Sequence, residues 1–384
     1  MIASQKRTRL VPFHTTKDPV LLSTAPSIES WRIRQLIVPF EQPLRTASGV
    51  MQAAPIVLFD VRTSSGVVGH SYLFCYTPTV LRAVASLAVS VTELTIGHSI
   101  APVQRISELR SMFKLLGTAG LLDMVLSGID MALWDAWGKT LAKPLSDLFG
   151  ADAENRARIP VYASYGMENA EQTRRNVDHA LSAGHQHVKI KIGYSTLKED
   201  ESVVDAALTL MDGKASLLID YNQSLSVAEA LVRCRHLDSY GLTWIEEPTN
   251  FDDLEGHARI SEYVTTPIQI GENLWGPSQI SASLDARASD LMMPDLGKVG
   301  GVTGWQQAVA ICGAKRVPVS NHFYQELSAH LMLVTPGAHL LEYFKMADPI
   351  LENPLEVKDG HAIVSDRPGS GLAWREDQVE RYLQ

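Results

Sequence analysis

From Ile159 to Phe344 the chain repeats one unit, a short run rich in Val, Ile and Leu followed by a longer stretch with helical spacing. The runs are IPVYAS, HVKIKIG, ASLLIDYN, LTWIEEP, PIQIGEN, ASDLMMPD, VPVSNH and AHLLEYF. Such alternation calls for parallel strands joined by crossover helices, and about eight units in succession predict a (β/α)8 barrel. An open doubly wound sheet is the competing arrangement, but it carries a glycine fingerprint after its first strand. None follows IPVYAS. The expected fold class is α/β, a modified TIM-like barrel.

Each run closes on polar residues: Ser164, Lys189 with Lys191, Asp220 with Asn222, Glu246 with Glu247, Glu272, Asp295, His322 and Glu342. In a barrel these ends meet at one rim, the face where barrel enzymes build their sites. Any one of them alone reads as well as a cap or a loop residue. Eight in phase with the repeat point to a site. Strand alternation sets Lys189 and Lys191 on the face opposite Val188, Ile190 and Ile192. Lysine is almost never buried without a partner, so that face either meets solvent or lines a polar cavity.

Asp220, Glu246 and Glu272 follow at equal intervals of 26 residues, one βα unit each. Three adjacent strands therefore aim three carboxylates at one spot. Left to themselves they would repel and raise one another's pKa; a hard divalent cation removes the conflict, and an all-oxygen donor set favours Mg2+, with Mn2+ as the second choice. Asn222, two residues beyond Asp220, falls on the same side as a neutral donor.

Upstream, alternating stretches between Trp31 and Tyr76 predict antiparallel strands, and helical patterns follow over 79–97 and 127–150, making an α+β segment. The formal charge of -9 and the lack of a basic block interleaved with aromatics exclude a nucleic-acid footprint. Cys75, Cys234 and Cys312 form neither a disulfide framework nor a thiolate zinc spacing, which fits a reducing cytoplasm. No segment has the unbroken apolar length of a membrane span. Residues 1–28 have a basic start without an apolar core and read as a loosely ordered extension. The remaining histidines, His70, His257, His330 and His339, lack carboxylates at useful spacing and read as structural.

From about Trp31 to its end the chain resembles the enolase superfamily, and within it the mandelate racemase subgroup. The likeness is carried by VKIKIGY, IDYNQSL, WIEEPT, IGEN, MPDLGKVGGVTGW, SNHFYQELSAHL and LLEYF. In muconate-cycloisomerase relatives a lysine usually stands at the position of Asp295, so Asp295 followed by His322 separates the subgroups. The resemblance implies four segments: the extension 1–28, an α+β capping domain 29–150, a barrel 151–345, and a C-terminal segment 346–384 packing back on the cap. It implies a metal held by Asp220, Glu246 and Glu272, with Lys191 as one base and His322, oriented by Asp295, as the other. Lys189 would face the substrate carboxylate and push the Lys191 pKa down, and Glu342 would stay protonated to donate to that carboxylate. Ser164 would contact the carboxylate and Asn222 the α-hydroxyl. Leu44, Met51, Phe74, Tyr76, Phe323 and Phe344 would wall the substrate's side group; the racemase pattern has Val at the first two positions and Leu at the last two.

The implied chemistry is removal of a proton next to a carboxylate through an enediolate. Two bases on opposite faces allow racemisation of a mandelate-like 2-hydroxy acid by a homo-oligomer. The same parts serve an acid-sugar dehydratase, in which His322 would deliver a proton to the departing hydroxyl. The lid segments PLRTASGVMQAAP and SYLFCYTP are mainly apolar, which favours the racemase. A barrel that binds metal and ligand without turnover is the remote third reading, disfavoured because both bases are intact.

Overall fold

The computed structural model describes residues 25–152 and 158–384. Most of the expected N-terminal extension, residues 1–24, lies outside the described residues. Three antiparallel strands come first among the described residues, β1 (Ile28–Thr46), β2 (Gly49–Thr63) and β3 (Val68–Phe74), paired in that order. Helices Pro78–Glu93, Pro102–Met112 and Leu121–Thr140 follow. The last is buried on nearly every side. Its contact with the sheet depends on Gly69, where a Cβ would sit 2.3 Å from the Ala132 carbonyl oxygen, so only a bare backbone fits.

The second sheet is parallel through β4 (Ile159–Tyr165), β5 (His187–Lys191), β6 (Ser216–Asp220), β7 (Ile245–Glu246), β8 (Ile268–Ile270) and β9 (Leu291–Met292). The ring closes through β10 (Leu341–Tyr343), which pairs in parallel with β4. Between β9 and β10 the expected strand VPVSNH forms no ladder. It is joined to its neighbours by isolated parallel bridges, Met292 with Val319, Asp295 with His322 and Val319 with Ala338. The fold is the expected modified TIM-like barrel with its N-terminal cap. Past the barrel, β11 (Glu356–Lys358) and β12 (His361–Ile363) form a hairpin that pairs antiparallel with the start of β4.

Strand alternation sorts the barrel side chains into two shells. Val188, Ile190, Leu217, Ile219, Ile245, Ile268 and Ile270 pack outward against Val177, Val203, Val204 and Ile260 of the surrounding helices. The opposite face is layered. Tyr162, Leu218, Trp244, Met293 and Leu340 form an apolar floor. Ser164, Asp220, Glu246, Asp295 and Glu342 stand two residues further along the same faces.

The cap is fastened to the barrel by polar contacts. Asp130 accepts the Thr303 N–H and hydroxyl at 2.9 and 2.5 Å, capping the first turn of barrel helix Gly301–Lys315. The tip of the β1–β2 hairpin also docks on the barrel, with the Met167 N–H donating to the Arg45 carbonyl at 2.8 Å. Among the described residues no helix is long and apolar enough to cross a membrane.

Candidate active site

Three carboxylates converge above the barrel floor. One oxygen from each of Asp220, Glu246 and Glu272 lies within 4.8 Å of the others, and all three residues are buried. Asp220 and Glu246 arrive by simple alternation on neighbouring strands, where they are register partners. Glu272 does not. Ile268 and Ile270 face outward, so unbroken alternation would send Glu272 outward as well. Gly271, at φ +137°, breaks the pattern. A Cβ there would meet the Met292 sulfur and the Met293 nitrogen at 2.8 Å, so the turn that aims the third carboxylate requires glycine.

The donor set fits a hard divalent ion. It is all oxygen, it is buried, and Glu272 Oε2 accepts no hydrogen bond, an unmet acceptor of the kind a cation satisfies. Burial first, then Asp220 and Glu272, push the Glu246 carboxyl well above its usual range, with Lys189 pulling the other way. Burial also works to raise Glu272, but His322, then Lys191, Lys189 and Lys298, outweigh it and hold the group at about 2.

Beside the triad, and reaching it at Glu272, lies a cavity of about 770 Å3 between hairpin and barrel. Lys191, Ser164, Asn222, Glu272, His322, Glu342, Leu44, Met51, Phe74, Tyr76, Phe323 and Phe344 all line it. Lys191 and Asp220 are salt-bridged and paired across β5 and β6. His322 enters from the seventh segment, with Nδ1 2.6 Å from Asp295 Oδ2 and Nε2 3.3 Å from Glu272 Oε2. The Asn222 amide donates to Asp220 Oδ2 at 3.0 Å, and its own oxygen is buried without a partner.

Three expectations change. Lys189 is not in the cavity wall: it sits one strand repeat lower, fully buried, with Nζ 2.9 Å from Glu246 and 3.2 Å from Glu342. Its distance from the cavity follows from the same alternation that puts Lys191 at the rim. Glu342 is not held protonated. Burial works to raise its pKa, but Lys189 and then His322 outweigh that and set it below the usual value. Nor is Lys191 depressed. Burial and Lys189 both work to lower its pKa, yet Asp220, helped by Glu272 and Glu246, leaves it above the ordinary lysine value. Carboxylates outnumber ammonium groups here, so the carboxylate field prevails. His70 also differs from the sequence reading: its Nδ1 meets Asp60 at 2.7 Å in the capping sheet.

Several polar groups escaped the sequence reading. Asn273 Nδ2 donates to both Glu247 oxygens, at 3.0 and 2.8 Å, and to Glu272 Oε1 at 3.2 Å, while its oxygen accepts Lys298 Nζ at 2.6 Å. Both carried a signal: Asn273 follows Glu272 in IGEN, and Lys298 lies three residues past Asp295 on one helical turn. Strain gathers at the same rim, with positive φ at Asn222, Gln223, Glu247, Phe323 and Tyr324. Non-glycine residues keep that conformation where their surroundings over-determine it, commonly at functional sites.

Residues 172–378 match the family described as Enolase C-terminal domain-like, and residues 30–150 match the Mandelate racemase / muconate lactonizing enzyme, N-terminal domain. Among solved structures the chain is similar to an enolase from Bradyrhizobium complexed with magnesium and mandelic acid, at 41% identity and TM-score 0.91, over 94% of this chain and 100% of that one. It is similar to the L-talarate/galactarate dehydratase of Salmonella typhimurium, 29% identical over 269 residues, 70% of this chain and 67% of that protein. A third relative is the 3,6-anhydro-alpha-L-galactonate cycloisomerase of Streptomyces coelicolor, 29% identical over 333 residues, 84% of this chain and 90% of that protein.

Proposed function

The chain belongs to the enolase superfamily, in its mandelate racemase and muconate lactonizing enzyme branch, and on that premise we propose that it racemises a 2-hydroxy acid of the mandelate type by moving the proton next to the carboxylate. The observation that carries this reading is that two proton-transfer groups, Lys191 from the second barrel strand and His322 from the seventh segment, line one cavity beside the carboxylate triad. One takes the α-proton; the other returns a proton on the opposite face.

Asp220, Glu246 and Glu272 would hold magnesium, which when bound neutralises the charge developing on the substrate's carboxylate and α-hydroxyl oxygens and draws off the carboxylate field that raises Lys191. Asp295 accepts from His322 Nδ1 and so keeps Nε2 aimed at the cavity. Lys189 anchors Glu246 and Glu342 from below. Glu342 gains a proton when the substrate carboxylate comes beside it, since like charges raise each other's pKa, and then donates as the enediolate forms. Ser164 contacts the same carboxylate, and Asn222 receives the α-hydroxyl with its unpartnered oxygen. The side group rests among Phe74, Tyr76, Phe323 and Phe344, whose rings pack with centroids 4.6 to 5.5 Å apart along the chain of contacts. We read the protein as a cytoplasmic homo-oligomer.

A second reading, dehydration of a sugar acid, is favoured by the likeness to the talarate/galactarate dehydratase. Here His322 would protonate the departing β-hydroxyl. One experiment separates the two: incubation in heavy water with magnesium and a panel of 2-hydroxy acids and sugar acids. Racemisation gives α-deuterium in both enantiomers with no loss of water, and dehydration gives a 2-keto acid. His322→Asn is expected to leave one enantiomer exchanging through Lys191, and Lys191→Met the other through His322. Equal exchange of both enantiomers in either variant would rule out two bases.

A further inference from the structure

The capping domain reaches into the proton-handling end of the site through one hydroxyl. Tyr76 lies between β3 and the helix that begins at Pro78, at φ +58°. A bulky residue keeps that conformation where its neighbours hold it. Its ring packs on Phe74 at 4.6 Å between centroids, and Lys298 Nζ lies 4.3 Å from the ring centre. Its hydroxyl donates to Asp295 Oδ2 at 3.2 Å. That oxygen is also the acceptor for His322 Nδ1 at 2.6 Å, while Asp295 Oδ1 accepts the Gly297 N–H at 2.6 Å. Three donors thus fix the plane of one carboxylate. Two belong to the barrel and the third to the cap.

We infer that Tyr76 is a positioning residue for the His322 half of the reaction, its hydroxyl fixing the Asp295 carboxylate that orients the imidazole. The inference rests on the two-base reading above. Burial, reinforced by Asp295, pushes the Tyr76 hydroxyl well above its usual pKa, so it stays a donor. An ionised carboxylate is an acceptor only, and with the Tyr76 hydroxyl removed Oδ2 keeps a single partner and Asp295 gains freedom to rotate. His322 then loses its aim. Lys191 is engaged on the other side by Asp220 and shares no hydrogen-bond partner with Tyr76, so the loss falls on one face of the substrate.

Tyr76→Phe isolates the hydroxyl, because the ring, the cavity wall and the Lys298 contact survive. The measurement is α-proton exchange in heavy water with magnesium, followed separately for each enantiomer of mandelate and of vinylglycolate. The base serving each enantiomer is assigned with His322→Asn and Lys191→Met. Tyr76→Phe is expected to slow exchange of the His322 enantiomer about tenfold, the scale of one lost hydrogen bond to a charged group, and to leave the Lys191 enantiomer within about twofold. Equal slowing of both enantiomers would mean that Tyr76 only shapes the pocket, and no change in either would mean that its hydroxyl does nothing for His322. Both outcomes overturn the inference while the two-base reading stands. A wild type that exchanges fewer than both enantiomers removes that reading, and the inference with it.

Discussion

Asp60 in the capping sheet and Glu272 at the barrel rim are both buried carboxylates whose pKa neighbouring cations bring down, but their oxygens are supplied differently. Asp60 meets Arg34 at 2.7 Å, His70 at 2.7 Å and the Trp374 indole at 2.6 Å. Burial works to raise its pKa, but His70, Trp374 and Arg34 together bring it below the usual value. Its partners come from β1, β3 and the C-terminal segment, so one charge fastens three distant pieces of chain. Glu272 has an oxygen with no hydrogen bond, and two further carboxylates share its space. A carboxylate whose oxygens are all bonded fastens the fold; one with an oxygen left unbonded beside two more carboxylates is available to a ligand.

The sharpest way to break this contrast is Glu272→Gln. Removing this charge is expected to lower magnesium-dependent turnover about a thousandfold or more and, because His322 and Lys191 lose the carboxylate whose pKa they depress, to lower Tm by less than the loss of Asp60 does, as read by calorimetry without metal and by magnesium titration. Undiminished magnesium-dependent turnover would show that the triad is not the metal site. Asp60→Ala is the mirror experiment. It leaves the His70 ring and the Trp374 indole without their partner and Arg34 with Glu376 alone, and is expected to cost about 3 kcal/mol in chemical unfolding, with turnover per folded molecule preserved. A fall in turnover without a fall in stability would erase the distinction between the regions.

Between them stands the aromatic wall, where Leu44, Met51, Phe323 and Phe344 are larger than the residues of the racemase pattern, so a phenyl side group is expected to fit less well than a vinyl group. Phe323→Leu with Phe344→Leu is expected to raise kcat/KM for mandelate by about one to two decades relative to vinylglycolate, the scale of relief from overpacking. A wild type that already prefers the phenyl substrate would sink the steric account. The smallest effect is in acid. Because the folded pKa of Asp60 is depressed, the unfolded chain binds more protons there. Its contribution is complete above the ordinary carboxylate range and is lost as pH falls through the depressed folded value. Asp60→Asn should therefore flatten the acid limb of the Tm profile, and an unaltered limb would mean that Asp60 is not titrating there.

Much of this was legible because periodicity carries geometry. The repeating β-rich runs encode the barrel, and the equal spacing of Asp220, Glu246 and Glu272 encodes their convergence. Three features were hidden for physical reasons. Glu272 needs a break in alternation at Gly271, which a period of two does not contain. The ionised state of Glu342 depends on Lys189 lying 3.2 Å away, a distance between strands that no local pattern expresses. The hydroxyl of Tyr76 reads from sequence as one more aromatic surface, and only the packing of cap on barrel shows it turned toward Asp295.

The seventh wall of the barrel has its own lesson. The segment carrying His322 lacks a strand ladder, and side chains add to its isolated backbone bonds: Asn321 Oδ1 accepts the Glu342 N–H at 2.8 Å, Asn321 Nδ2 donates to the Phe323 carbonyl at 2.8 Å, and Ser320 Oγ accepts the Leu340 N–H at 3.4 Å. Here the barrel is sewn by residue identity as well as by backbone, so part of the stitching can be inherited or lost one codon at a time. Anyone transplanting the histidine and its aspartate into another barrel must carry Asn321 with them, because beyond the backbone bond from His339 to Val319 Asn321 ties the histidine's end of the wall to the strand bearing Glu342.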